Sequence, residues 1–256
     1  MGFSFASVFL SYFLIAGGTF FAALFAGRVG LHSEYLGYIV LALGGFLGGI
    51  VAARASKGST IIEPGIGAVL LLASVVGLGL AAGADAHIVL LPATMKALAL
   101  TGGASAGGGI AGAFVTEKLF GDDRPAGMSW VLFVAVAAFG AGIIGTALAG
   151  VLGKGGGAGA LLAGLAACCF IVGVCSGASA SSRPLGASFL GGVLGLGGFF
   201  MLSIYVFASL LSKNGAETGT IPKEMYVGIA VMAVGGGLVA MIGALIGWAT
   251  AGSKQQ

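Results

Sequence analysis

The chain has 256 residues, of which 58% are hydrophobic and only 7% are charged, and its formal net charge at pH 7 is +3. This composition excludes a soluble globular domain, because too few polar side chains are available to cover a surface in water. The few cations form no basic cluster, so nucleic acid is excluded as a partner, and a lipid bilayer is the predicted surrounding.

Apolar stretches of about 20 residues, long enough to cross about 30 Å of hydrocarbon as an α-helix, recur along the whole sequence. Charged residues and Gly or Pro breaks separate them. In chain order, the predicted helices cover residues 5 to 27, 35 to 53, 64 to 84, 92 to 116, 128 to 152, 158 to 177, 185 to 211 and 222 to 249. The predicted fold class is all-α, a polytopic bundle of eight transmembrane helices.

Glu63 and Pro64 stand at the start of the third predicted helix. Proline is favoured in the first turn of a helix, and a carboxylate there is stabilised by the positive end of the helix dipole. Glu63 is therefore either a helix-capping residue or a site that takes up a proton or binds a cation at a helix entrance. The corresponding position in the second half of the chain is Ala187, which has no charge.

Lys96 follows Pro92 by four residues in the fourth predicted helix. A charge inside a transmembrane helix is a functional-site hypothesis by default. Pro92 favours a helix start at that residue, however, so Lys96 lies about one turn from the boundary, where a lysine can extend to the headgroups. Both readings stay open, and Glu63 and Lys96 are the predicted substrate-binding residues.

The two halves of the chain align with each other at nearly constant shifts, which predicts an internal duplication. Gly17, Ala26, Gly27 and Gly30 align with Gly140, Ala149, Gly150 and Gly153 at a shift of 123. Phe46, Gly49, Gly67, Val69, Leu70 and Leu72 align with Phe170, Gly173, Gly191, Val193, Leu194 and Leu196 at 124. Pro92, Met95 and Gly107 align with Pro222, Met225 and Gly237 at 130.

This alignment divides the chain into two tandem four-helix repeats, residues 1–120 and 121–256. Four helices return the chain to its starting side, so both repeats have the same orientation. A pseudo-twofold axis along the membrane normal is the predicted relation between them. The 51 glycines, many of them inside the helices, are typical of helices that pack closely through small residues in lipid.

The histidines and cysteines give no strong prediction of a metal site. The two histidines lie beside carboxylates, in His32-x-Glu34 and Asp85-x-His87, a pattern that could hold a divalent metal but arises easily by chance. Solvated interface residues are the simpler interpretation, and we expect neither a metal nor a cofactor. The thiols share one apolar segment and are expected to act as small hydrophobes; they are Cys168, Cys169 and Cys175.

Catalysis is not expected, because the second half has no histidine and no pair of aspartates lies within the helices. Two functions stay open. The first is a small transporter or channel with a path between the repeats. The scarcity of polar residues at mid-membrane favours an apolar or lipid-like substrate over a small ionic one.

The second function is a non-catalytic membrane subunit. Its Gly-rich faces would pack against a membrane-protein partner or against a second copy in a homo-oligomer. Its short loops and lack of a predicted soluble domain fit this function equally well. For either function, the Ala and Gly richness favours a bacterial cytoplasmic (inner) membrane.

Overall fold

The computed structural model describes residues 4–29, 36–55, 61–83, 85, 88, 91–120, 128–152, 157–179, 184–213 and 222–252. Eight long helices lie within these ranges. In chain order they are α1 (Phe5–Val29), α2 (Leu36–Ala55), α3 (Glu63–Ala81), α4 (Pro92–Phe120), α5 (Met128–Leu152), α6 (Ala158–Ser179), α7 (Leu185–Lys213) and α8 (Lys223–Gly252).

All eight helices are long and apolar enough to cross a membrane. The shortest, α3, has 19 residues, or about 28 Å at 1.5 Å per residue, which matches the hydrocarbon thickness of a bilayer. The prediction of a multi-pass membrane protein with eight helices is confirmed. Each predicted boundary lies within a few residues of the observed one, and every helix except the third and the fifth ends slightly further along the chain than predicted.

The helices of the two halves pack in the same pattern. In the first half, α1 packs against α2 and α3, and α4 packs against α2 and α3. In the second half, α5 packs against α6 and α7, and α8 packs against α6 and α7. The halves meet where α1 packs against α5 and, to a lesser extent, against α6. Several of the largest fully buried side chains accordingly lie on α1, among them Leu10, Leu14 and Ile15.

Glycines form the seams between the most closely packed helices. A Cβ atom added at Gly112 of α4 would overlap the carbonyl oxygen of Phe46 in α2, and one added at Gly243 of α8 would overlap that of Phe170 in α6. Unpaired backbone groups are too costly in lipid to allow unwinding, so glycines there bring helix backbones together instead of breaking the helices. The α2–α4 and α6–α8 pairs depend on this close approach.

Candidate functional site at the α1–α3 interface

Glu63 begins α3 and is buried, with 5% of its surface exposed. Ile62 before it offers no capping side chain, and Pro64 after it lies in the first turn. The helix dipole favours the carboxylate at this end. The structure shows no side-chain cap at this helix start, and Pro64 removes one of its backbone N–H donors.

The side chain of Glu63 lies on the face of α3 that packs against α1. Gly67, one helical turn further along α3, makes the close contact: a Cβ added there would lie 3.0 Å from the Val8 carbonyl oxygen and 3.0 Å from Ser11 Oγ. Residues four apart share a helix face, and α1 and α3 run in the same direction because α2 crosses back between them. Glu63 is therefore level with Ser7, one turn before Ser11.

Ser7 is also buried, with 2% of its surface exposed, and its hydroxyl has no hydrogen-bond partner among the described residues. Its backbone N–H donates to Ser4 Oγ at 3.3 Å, which caps the start of α1. Ser11 differs, because its hydroxyl donates to the carbonyl oxygens of Ser7 and Val8. The buried Glu63 side chain and the unpartnered Ser7 hydroxyl thus belong to the same helix interface.

Polar side chains continue from this point toward the middle of the membrane. The Tyr12 hydroxyl of α1 is hydrogen-bonded to Ser74 of α3, and the Ser74 hydroxyl donates to the Leu70 carbonyl oxygen at 2.8 Å. Ser74 lies 11 residues after Glu63, which corresponds to about 16 Å along the helix. We call the set Ser7, Ser11, Tyr12, Glu63 and Ser74 the α1–α3 polar strip.

The second half carries no such strip. At the shifts of 123 and 124, the corresponding positions are Trp130, Val134, Ala135, Ala187 and Gly198. The backbone contact itself is matched, since a Cβ added at Gly191 would lie 2.9 Å from the Val131 carbonyl oxygen, as Gly67 contacts that of Val8. The two interfaces therefore share their packing and differ in polarity.

Two buried hydroxyls of the second half are hydrogen-bonded to each other. Ser176 of α6 and Ser188 of α7 have no exposed surface, and their hydroxyl oxygens lie 3.0 Å apart in a hydrogen bond. Ser176 also donates to the Gly173 carbonyl oxygen at 2.9 Å. This pair joins two helices and leaves little capacity for a ligand.

Lys96 lies far from the strip. It is exposed and lies one turn after Pro92, the first residue of α4. Because α3 begins at Glu63 and crosses the membrane before α4 begins, about 28 Å of helix separates the two predicted site residues. The structure does not bring them together, and an exposed lysine at this depth fits extension to the headgroups.

The remaining candidates give no second site. The three cysteines are buried in α6 with free thiols, as expected of small hydrophobes. Of the proposed metal ligands, His32, Glu34 and His87 lie outside the described residues, so that hypothesis stays a prediction. In the described ranges, no group of three His, Cys, Asp or Glu side chains could hold a metal ion.

Sequence reasoning found Glu63 but missed Ser7, Ser11 and Tyr12. The serine spacing on α1, at positions 4, 7 and 11, is the signal that could have found them, because it places hydroxyls along one helix face. No protein-family model, no curated protein and no solved structure matches the chain.

Proposed function

We propose that this multi-pass protein of a bacterial cytoplasmic membrane is a small transporter, and that its solute enters beside Glu63. The observation that carries the proposal is a buried glutamate at the start of α3, on the helix face that packs against the hydroxyl-bearing face of α1. A buried charge in apolar surroundings costs several kcal/mol unless it is compensated. A binding function accounts for that cost, whereas a purely structural role is served better by the alanine of the second half.

Two parallel four-helix repeats, residues 1–120 and 121–256, are part of this proposal. A reciprocal contact between α1 and α5 supports them: a Cβ added at Gly17 would lie 2.8 Å from the Val136 carbonyl oxygen, and one added at Gly140 would overlap that of Phe13. At the shift of 123, Gly17 is equivalent to Gly140 and Phe13 is equivalent to Val136. Each half therefore supplies the glycine to one contact and the carbonyl oxygen to the other. Such exchange is expected where equivalent elements meet at a twofold axis.

The position of the strip favours a small ionic solute over a lipid-like one. The scarcity of polar residues at mid-membrane, taken alone, favours an apolar substrate. Ser11, Tyr12 and Ser74 share the α1–α3 interface, and this local group of polar side chains supports an ionic solute. Lys96 stays a prediction for a contact at the opposite boundary.

A membrane subunit without transport activity is the second candidate, and outward-facing glycines favour it. No atom lies within 4 Å of a Cβ added at Gly103 or Gly107 on α4, or at Gly77 on α3. Glycine is a poor helix former, and these positions pack against no other residue that the structure describes. They leave a smooth helix surface against which another helix could pack.

Flux measurements in liposomes test the first candidate. The purified protein is reconstituted, and uptake of Na⁺, K⁺ and protons is followed under imposed gradients. Glu63→Gln is compared with Glu224→Gln, which removes an exposed glutamate from the first turn of α8. We expect flux that Glu63→Gln abolishes and Glu224→Gln preserves. Absence of flux under every gradient, with a stable oligomer in detergent, favours the subunit.

A further inference from the structure

We propose that the outer half of α3, residues 69–81, moves relative to the rest of the bundle and gates the α1–α3 polar strip. This inference rests on the proposed transport function and adds its moving part. The buried residues of α3 all lie within its first six positions, from Glu63 to Ala68. Every later residue of the helix is at least partly exposed, so α3 is anchored to the bundle at one end only.

The equivalent half of α7 is held along its length. A Cβ added at Gly195 would overlap the Ala135 carbonyl oxygen of α5. Further along, Leu196 and Phe199 are buried, and the Phe199 ring packs edge-on against that of Phe139 with their centroids 5.6 Å apart. The close backbone approach of α7 to α5 therefore continues beyond the contact at Gly191.

Larger side chains prevent this approach in the first half. At the shifts of 124 and 123, Leu71 stands in place of the α7 glycine and Tyr12 in place of the α5 alanine. Close helix packing in lipid depends on small residues at the contact, so these two side chains hold the backbones of α1 and α3 apart. Val75, at the position of the buried Phe199, is 56% exposed.

The contact of α3 with α4 is also looser than its counterpart. A Cβ added at Gly237 of α8 would lie 2.8 Å from the Phe189 carbonyl oxygen of α7, whereas one added at the equivalent Gly107 of α4 meets nothing within 4 Å. Near the outer half, a Cβ added at Gly102 of α4 would meet only the flexible side chain of Leu72. Segments with few tertiary contacts open locally at low cost in free energy.

Ser74 lies where the outer half begins to leave α1. Its hydroxyl donates to the Leu70 carbonyl oxygen at 2.8 Å, and serine bonds of this kind commonly bend helices. The Tyr12 hydroxyl is hydrogen-bonded to Ser74 and so links the outer half to α1. Loss of this link opens the polar strip toward the side of the membrane opposite Glu63.

Spin-label distances in the full-length protein in lipid nanodiscs test the inference. One label is placed on α5 by Gly150→Cys, and the second on α3 by Gly77→Cys or on α7 by Met201→Cys. A Cβ at either glycine meets open space, and Met201, which is equivalent to Gly77, is exposed. We expect two distances for the α3 pair and one for the α7 pair. The native cysteines are first replaced with alanine, at Cys168, Cys169 and Cys175.

Two variants change the gate in opposite directions. Tyr12→Phe removes only the hydroxyl and should raise the ratio of the longer to the shorter distance about fivefold, the change expected for one net hydrogen bond. Tyr12→Ala/Leu71→Gly restores the small residues of the second half and should leave one short distance. Tyr226→Phe, on an exposed tyrosine of α8, is the matched control and should change nothing. Size-exclusion elution and melting temperature verify that each variant is folded.

A single distance for the α3 pair, two distances for both pairs, or a ratio unchanged in folded Tyr12→Phe contradicts the inference. Its failure is distinguishable from failure of the transport proposal. Glu63-dependent flux through a protein with a single α3 distance overturns only the gate. Two α3 distances that respond to Tyr12→Phe, without flux under any gradient, overturn only the transport function.

Discussion

Ser7 of α1 and Trp130 of α5 hold the same place in the two halves, and each buries a polar atom without a hydrogen-bond partner in the described structure. The residues that follow them, Val8 and Val131, contact the equivalent glycines of α3 and α7 through their carbonyl oxygens. The position is therefore matched by packing as well as by sequence. In the first half, the small Ser7 side chain lies on the helix that packs against the helix of Glu63. In the second half, the large Trp130 side chain lies on the helix that packs against the helix of Ala187.

Replacing Ser7 with alanine should stabilise the protein. Removing a buried hydroxyl that lacks a partner relieves a desolvation cost, so the free energy of unfolding should rise by about 1 kcal/mol. Ser11→Ala is the control, because its hydroxyl is bonded within its own helix and its loss should change stability little. Thermal unfolding in detergent measures both. A destabilised Ser7→Ala protein would show that the hydroxyl has a protein partner.

An ionic solute that binds beside Glu63, with Na⁺ as the probe, should stabilise the wild-type protein. A ligand that binds only the folded state adds about 2.7 kcal/mol at a concentration 100 times its dissociation constant. The melting temperature should therefore rise with Na⁺ at constant ionic strength, balanced with an organic cation. Glu63→Gln should show no such rise. An equal rise in both proteins would mean that the effect of the salt is not exerted at this carboxylate.

The glycine seam between α2 and α4 should tolerate no side chain. Gly112→Ala places a methyl group on the Phe46 carbonyl oxygen, and overpacking of this kind costs about 1–3 kcal/mol. Gly107→Ala on the same helix is the matched control, since its Cβ meets open space. Alanine there should be neutral or stabilising by up to about 1 kcal/mol through helix propensity. Equal effects of the two substitutions would contradict the observed packing.

The helices themselves could be predicted from the sequence because the bilayer imposes one length on every apolar span. The start of α4 is an example: Pro92 cannot donate a backbone hydrogen bond, so it marks a first turn, and α4 begins there. The end of α3 was less predictable. Gly83 adopts a φ of 102° after Ala81, which ends the helix before the predicted residue 84.

Glu63 could be identified as a candidate but its burial could not, because burial depends on which helix packs against α3. The α1–α3 contact forms through Gly67, one glycine among 51, and nothing in the local sequence distinguishes it. Ser11 and Ser74 could not be predicted as members of the strip either. Each hydroxyl is bonded to a carbonyl oxygen of its own helix, as serines in apolar helices commonly are. Placement of the strip required the tertiary packing.

Lys96 should be dispensable for transport. It is exposed at the start of α4, on the opposite side of the membrane from Glu63, and extension to the headgroups needs no solute. Flux through Lys96→Met should match that of the wild type, while Glu63→Gln loses it in the same liposome assay. A loss of flux in Lys96→Met that Lys96→Arg restores would instead establish a charge requirement at that boundary and support its predicted role in substrate binding.

The outward-facing glycines decide between the two candidate functions in a single variant. Gly103 and Gly107 lie one turn apart on α4 with open space beyond each, so leucine at both positions fits the isolated chain without strain. A transporter that acts as a single chain should keep its fold and its flux. A subunit that packs through this face should lose its oligomer, because the two side chains hold the partner helix away from the backbone. Flux in liposomes and mass in detergent are measured on one preparation of the Gly103→Leu/Gly107→Leu variant. Retained flux with unchanged mass supports the transporter. A fall to the mass of a monomer supports the subunit.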